Sequence, residues 1–130
     1  MQSVSVDNLP KVREGPSLVY FSSPHCPHCV KAAPQVEKFY QALKSAQKGG
    51  EVNTDIIMVS FDVNNDQEGK YTQDVPTVPR LVLELPSQEQ PLVIDLKSNP
   101  EDFVRHVADN SEAYLPPPTL SMASFISEYV

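Results

Sequence analysis

The chain is poor in cysteine, in positive charge and in long apolar runs, and each shortage narrows what it can do. Only two cysteines, Cys26 and Cys29, occur in 130 residues. Three positions apart, they cannot staple distant parts of a fold, which leaves a redox or metal role in place of a disulfide framework. Lys and Arg number 10 against 17 Asp and Glu, a formal charge of −7 with a pI near 4.8. Binders of nucleic acid or anionic membrane need basic surface to displace counterions, so neither partner is expected. Nowhere are there about 18 consecutive apolar residues of the kind that span a bilayer. The first six residues, Met1 to Val6, lack a cationic start followed by an apolar run, so no secretory leader and a cytoplasmic location are expected. At 40% hydrophobic residues the chain suits one globular domain with a single core.

What is present centres on His25-Cys26-Pro27-His28-Cys29. Two sulfurs at this spacing, the first at the start of a helix, can join and part with little backbone movement. Ser17 to Ser22 is a short apolar run ended by Ser23-Pro24, which reads as a buried strand entering a turn. From Pro27 to about Lys48, Val30, Ala33, Val36, Phe39 or Tyr40, and Leu43 recur at helical spacing and predict one buried stripe. Gly49-Gly50 stops that helix. Pro34 has no N–H for the carbonyl of Val30, so a kink is expected there. Ile56 to Val63 reads as a central parallel strand covered on both faces, and Asn64 to Gly69 as a polar connection. Leu81–Leu85 and Leu92–Leu96 predict an antiparallel hairpin with a long loop. Asn99-Pro100-Glu101-Asp102 is a helix start, with Phe103, Val104, Val107 and Ala108 as its buried stripe.

The expected fold class is therefore α/β with a mixed sheet, in the order β-α-β-β-β-α, over residues 1–110. Residues 111–130 read as an extension in which Tyr114 to Pro118 is an extended linker. A short helix from Thr119 has Leu120, Ala123, Ile126 and Val130 on one side. Packing on its own domain is the bland reading of this tail, and docking to a partner or to a second copy is the sharper one.

The segment Leu18 to Phe39, LVYFSSPHCPHCVKAAPQVEKF, closely resembles the active-site strand and helix of the thioredoxin superfamily. The order matches: apolar strand, turn, Cys-x-x-Cys, and a helix with Pro34 five residues after the second cysteine. Val75 to Leu83 resembles the loop where this family has a cis-proline facing the disulfide; Pro79 is the better match because a strand follows it, and Pro76 the lesser one. The resemblance implies a thioredoxin-like fold, a mixed central sheet flanked by helices. It also implies a thiol–disulfide oxidoreductase whose only cofactor is its own Cys26–Cys29 disulfide.

Motif chemistry supports the same reading. Cys26 precedes the first helical turn, where free N–H groups and the positive end of the helix dipole favour a thiolate, so Cys26 is the expected nucleophile. Cys29, one turn further in, is the expected resolving thiol. Pro27 suits a first helical position because its missing N–H would have no partner. His28 is the expected tuning residue, its imidazole stabilising the thiolate. Cys-Pro-His-Cys is similar to the motif of bacterial disulfide oxidases, which implies a reduction potential between about −120 and −220 mV. Val78 would offer its backbone to an extended client, and Arg80 would add positive potential or merely sit on an exposed strand. In this family His25 stands where a tryptophan is usual, Tyr20 where thioredoxin has a buried acid, and Ser60 where a lysine accompanies it. Those departures favour an oxidase or isomerase over a general reductant.

Implied partners are protein thiols and disulfides, with a redox partner protein or glutathione, for a monomer or a weak dimer joined through the extension. The cytosol opposes net disulfide formation, although some large DNA viruses encode thioredoxin-like proteins that oxidise virion proteins there. Two other readings stay open. One is a non-catalytic thioredoxin-like binding or assembly module. The other is a metal-bridged dimer through His25, Cys26, His28 and Cys29, since a closed site within one chain would be strained. His106, the remaining histidine, reads as a surface residue.

Overall fold

A computed structural model describes residues 1–67, 69, 72, 77–86, 88 and 90–112. Val75, Pro76 and the tail after Glu112 lie outside the described residues. The elements are β1 (Gln2–Ser3), α1 (Leu9–Val12), β2 (Ser17–Ser22), α2 (Pro27–Lys48), β3 (Ile57–Asp62), β4 (Arg80–Glu84), β5 (Leu92–Ile94) and α3 (Pro100–Glu112). A 3-10 turn over Val63–Asn65 follows β3. The five strands form one mixed sheet in the order β1-β3-β2-β4-β5. β1, β3 and β2 run parallel, while β4 is antiparallel to both β2 and β5.

β2 lies in the middle because it is apolar on both faces, and its first five residues are all buried. Leu18 and Tyr20 point to the side that α2 and α3 cover, where they meet Val36, Phe39, Leu43, Phe103 and Val107. Val19 and Phe21 point to the other side and meet Leu9, Val59, Phe61 and Val82. Phe39 and Phe103 stack with centroids 4.4 Å apart and planes 4° from parallel, tying α2 to α3. On the opposite face Phe21 and Phe61 meet edge to face at 6.0 Å. No helix among the described residues is long and apolar enough to cross a membrane.

Helix ends follow the chemistry of their sequences. At the end of α2 the Gly50 N–H reaches the Gln47 carbonyl and the Glu51 N–H the Ala46 carbonyl, at 3.2 and 2.9 Å. This paired closure needs a left-handed residue, and Gly50 supplies it with φ 81°. At the start of α3, Asn99 Oδ1 accepts the Asp102 N–H at 2.8 Å, with Pro100 in the first helical position.

The structure corrects several expectations. β3 runs from Ile57 to Asp62, a residue shorter at each end than expected, and lies inside the sheet between β1 and β2, parallel to both, with Met58 buried on one face and Val59 and Phe61 on the other. β1 and α1, of two and four residues, are too short to leave a periodic signature. The second hairpin strand stops at Ile94 instead of Leu96. α2 runs from Pro27 to Lys48 as expected, with Pro34 exposed inside it. Val30 and Ala33 are exposed, Val30 by 63%, and the buried line of α2 begins at Cys29 and passes through Val36, Phe39, Leu43, Ala46 and Gln47. In the first turn of α2 only Cys29 is buried, while Pro27, His28 and Val30 are exposed. α3 continues to Glu112, beyond residue 110.

Candidate active site

Two chain segments far apart in sequence meet at the end of β2. The first is the turn after that strand. Ser23 pins it: its carbonyl accepts the Cys26 N–H at 3.2 Å, and its Oγ accepts the His25 N–H at 3.2 Å and the Asn64 side-chain amide at 2.9 Å. Cys26 then caps α2 in an extended conformation, φ −100° and ψ 112°. Its Sγ accepts the Cys29 N–H at 3.1 Å, and its carbonyl takes the Val30 N–H at 3.1 Å to begin the helix. A sulfur in a capping position is aimed at the very donors that a helix start leaves free.

The second segment arrives through strand pairing. β4 pairs with β2 so that Phe21 faces Arg80, which sets Val78 and Pro79 beside the turn holding Cys26. The Cys26 thiol donates to the Val78 carbonyl at 3.8 Å, and the Val78–Pro79 peptide bond is cis. Arg80 is occupied with its own loop, donating to the Thr77 carbonyl at 3.4 Å and to the Thr77 hydroxyl at 3.2 Å.

The two sulfurs differ in environment. Cys26 is half-buried, whereas Cys29 is 4% exposed. The Cys26 thiol is held below its ordinary value, chiefly by a hydrogen bond from the Cys29 side chain; burial, the next largest effect, opposes this, and the backbone N–H groups of Cys29 and His28 each lower it further. Cys29 is pushed up, first by burial and then by Cys26, and only the Ser23 backbone pulls it down. The exposed thiol is thus the more acidic one.

Pro27 occupies the first turn of α2 and, like His25 and His28, is exposed. His28 contributes to Cys26 through its backbone N–H, one of the free donors at the helix start expected to favour the thiolate. Sequence reasoning missed Ser23 and Asn64, which fix the turn, and placed Val30 in the core although it lies exposed one residue after Cys29. A serine directly after a buried strand and before Pro24 was the available signal for the first.

Tyr20 stands behind the cysteines, 5% exposed, and its phenolic oxygen is buried with no hydrogen-bond partner among the described residues. Such an orphan costs about 1–3 kcal/mol of desolvation. Its pKa is pushed up to about 12 by burial, then by Cys29 and Cys26. At neutral pH it is a phenol that can donate a hydrogen bond but cannot act as a base. Among the described residues no group of three or more His, Cys, Asp or Glu is arranged to hold a metal ion.

Solved structures share the fold. The first thioredoxin domain of mouse protein disulfide-isomerase A4 superposes with a TM-score of 0.64 at 22% identity, covering 92% of this chain and 81% of that one. The J-Trx1 fragment of ERdj5 gives 0.65 at 18% identity, over 85% of this chain and 51% of the other. The first two thioredoxin domains of Naumovozyma dairenensis Eps1p give 0.64 at 20%, over 82% of this chain. The chain spans only 39% of that Eps1p structure. No curated protein matches the sequence. The family model described as thioredoxin-like matches residues 16–96, from the start of the buried strand through the hairpin. With a Cys-x-x-Cys pair at the head of α2 and a five-stranded mixed sheet behind it, this chain belongs to the thioredoxin-like family.

Proposed function

We propose that the protein is a thiol–disulfide oxidoreductase that exchanges disulfides with protein clients and runs in the oxidising or isomerising direction. Cys26 is the attacking and attacked sulfur, Cys29 the resolver, and the cofactor is the disulfide they form. One observation carries the reading: Cys26 Sγ sits at the helix start, 3.1 Å from the Cys29 N–H, against the carbonyl that precedes the cis Pro79. Donors at that sulfur favour its thiolate and so favour the open dithiol over the disulfide, which makes the disulfide ready to be given away. An extended client segment laid along Val78 would bring its own sulfur to Cys26 by strand-like pairing. Tyr20 in place of an acid supports the same direction, because a phenol at that position does not take the proton of Cys29 for reductive attack.

Equilibration with glutathione buffers measures the direction. A potential between about −120 and −220 mV is expected, and a value near −270 mV, that of a general reductant, would overturn it. Cys29→Ser should trap clients on Cys26 as mixed disulfides. No exchange with glutathione or with a reduced peptide would instead leave a binding module.

A further inference from the structure

Opening the Cys26–Cys29 disulfide creates a charge in the worst place for one. In the oxidising direction a client thiolate attacks Cys26 Sγ and a client–Cys26 bond forms. The Cys26–Cys29 bond breaks, and its electron pair goes to Cys29. A second client thiolate then attacks the client sulfur of the mixed disulfide, forming the client's disulfide and returning the electron pair to Cys26. The client is oxidised by two electrons and the protein reduced by two. The leaving group of the first step is therefore the thiolate of Cys29, a side chain only 4% exposed. Until a proton reaches it from water, that thiolate needs a donor.

A donor without employment lies on the neighbouring strand. Tyr20 and Cys29 both wall a groove of about 330 Å³ between β2, β3 and the first turns of α2, together with Ser22, Ser60 and Asp62. The Tyr20 hydroxyl is the buried side-chain donor there that has no partner. Its hydrogen can flip between the two in-plane orientations of a phenol, and its pKa, raised first by burial, is raised further by Cys29 and Cys26. We propose that Tyr20 is a positioning residue for the exchange reaction, its phenolic O–H turning toward the Cys29 sulfur whenever that sulfur carries negative charge. This rests on the oxidoreductase reading above and adds to it the group that stabilises the leaving thiolate. A buried carboxylate at the same place would repel that charge and could only accept a proton; the phenol does the reverse, and so favours departure of Cys29. Two other ionisable groups face the site: Cys26 on α2, and Asp62 on β3, whose Oδ1 accepts the Asn64 N–H at 2.9 Å.

Tyr20→Phe removes the hydroxyl and keeps the ring in the core. In a Cys26→Ser background, where Cys29 is the lone thiol, the rate of alkylation against pH reports the pKa of Cys29 directly. Tyr20→Phe should raise it by about one unit, roughly tenfold less thiolate at a given pH below the transition. In the dithiol protein the same substitution should slow the opening of the Cys26–Cys29 disulfide by a small thiol, the step in which Cys29 leaves as a thiolate. An unchanged Cys29 pKa would overturn the proposal, as would a shift seen in Asp62→Asn but not in Tyr20→Phe, which would give the role to the carboxylate. A second measurement leaves the Tyr20 side chain intact: by reciprocity the Tyr20 ring resonance should titrate at lower pH in Cys29→Ala than in the unaltered protein, and no change there overturns the proposal too. Because a lone thiol is titrated without any client, failure here is distinguishable from failure of exchange itself.

Discussion

Cys26 owes its acidity to several donors of unequal weight, and the largest is a side chain that can be deleted. The Cys29 thiol contributes more than the backbone N–H groups of Cys29 and His28, and those remain when the side chain changes. Cys29→Ala should therefore raise the pKa of Cys26, while Cys29→Ser, which keeps an O–H to donate, should raise it less. Thiolate absorbance against pH in the two variants checks this, and equal midpoints would assign the lowering to the backbone alone. The sign of the pH effect on the fold follows from the same shifts. A lowered Cys26 contributes stability above the ordinary thiol range that is lost as pH falls through its folded value. A raised Cys29 contributes stability below the ordinary range that is lost as pH rises through its own folded value. Because the two are in contact, titration reads apparent values of the pair.

Among the elements, α2 does two unrelated jobs at its two ends. Its first turn presents Cys26, and Phe39, about 20 Å further along the axis, stacks on Phe103 of α3. Phe103→Ala should cost about 3–5 kcal/mol of stability, since it leaves a cavity against a fully buried ring. The Cys26 titration should stay where it was. Denaturant unfolding and thiolate absorbance measure the two effects, and a coupled change in both would mean that α3 supports the site. Much of this division was readable in the sequence. The run Ser17–Ser22, the capping signals at Asn99 and at Gly49-Gly50, and the spacing of Val36, Phe39 and Leu43 each carry a local physical reason for the element they form. β1 and α1 were not readable because they exist only through tertiary contact: β1 pairs along β3, and Leu9 of α1 fills the face beneath Phe21 and Phe61. The exposure of Val30 was equally hidden, since helical spacing says which residues share a face but not how far the sheet extends beneath it. For the site, the motif identified both cysteines, while the partnerless hydroxyl of Tyr20 and the anchoring by Ser23 depend on distances that no spacing rule contains.

For the whole molecule, the redox state and the stability of the fold are two sides of one thermodynamic cycle. A disulfide closing a four-residue loop restrains the unfolded chain by only about 2 kcal/mol in the loop-entropy account. Against this stands the loss, on oxidation, of the thiolate that the N–H groups of α2 and the Cys29 side chain stabilise in the folded state. Each 30 mV or so by which the folded pair is more oxidising than the same pair in the unfolded chain equals about 1.4 kcal/mol by which oxidation weakens the fold. An oxidising protein must then be more stable reduced than oxidised, the reverse of one held together by a structural disulfide. The reduced form is expected to melt higher, by a few degrees for about 1 kcal/mol in a domain of this size. Thermal unfolding of the two forms at pH 7, under argon for the dithiol, measures the difference. A higher midpoint for the oxidised form would mean that the disulfide supports the fold, and the direction proposed for the exchange would be wrong.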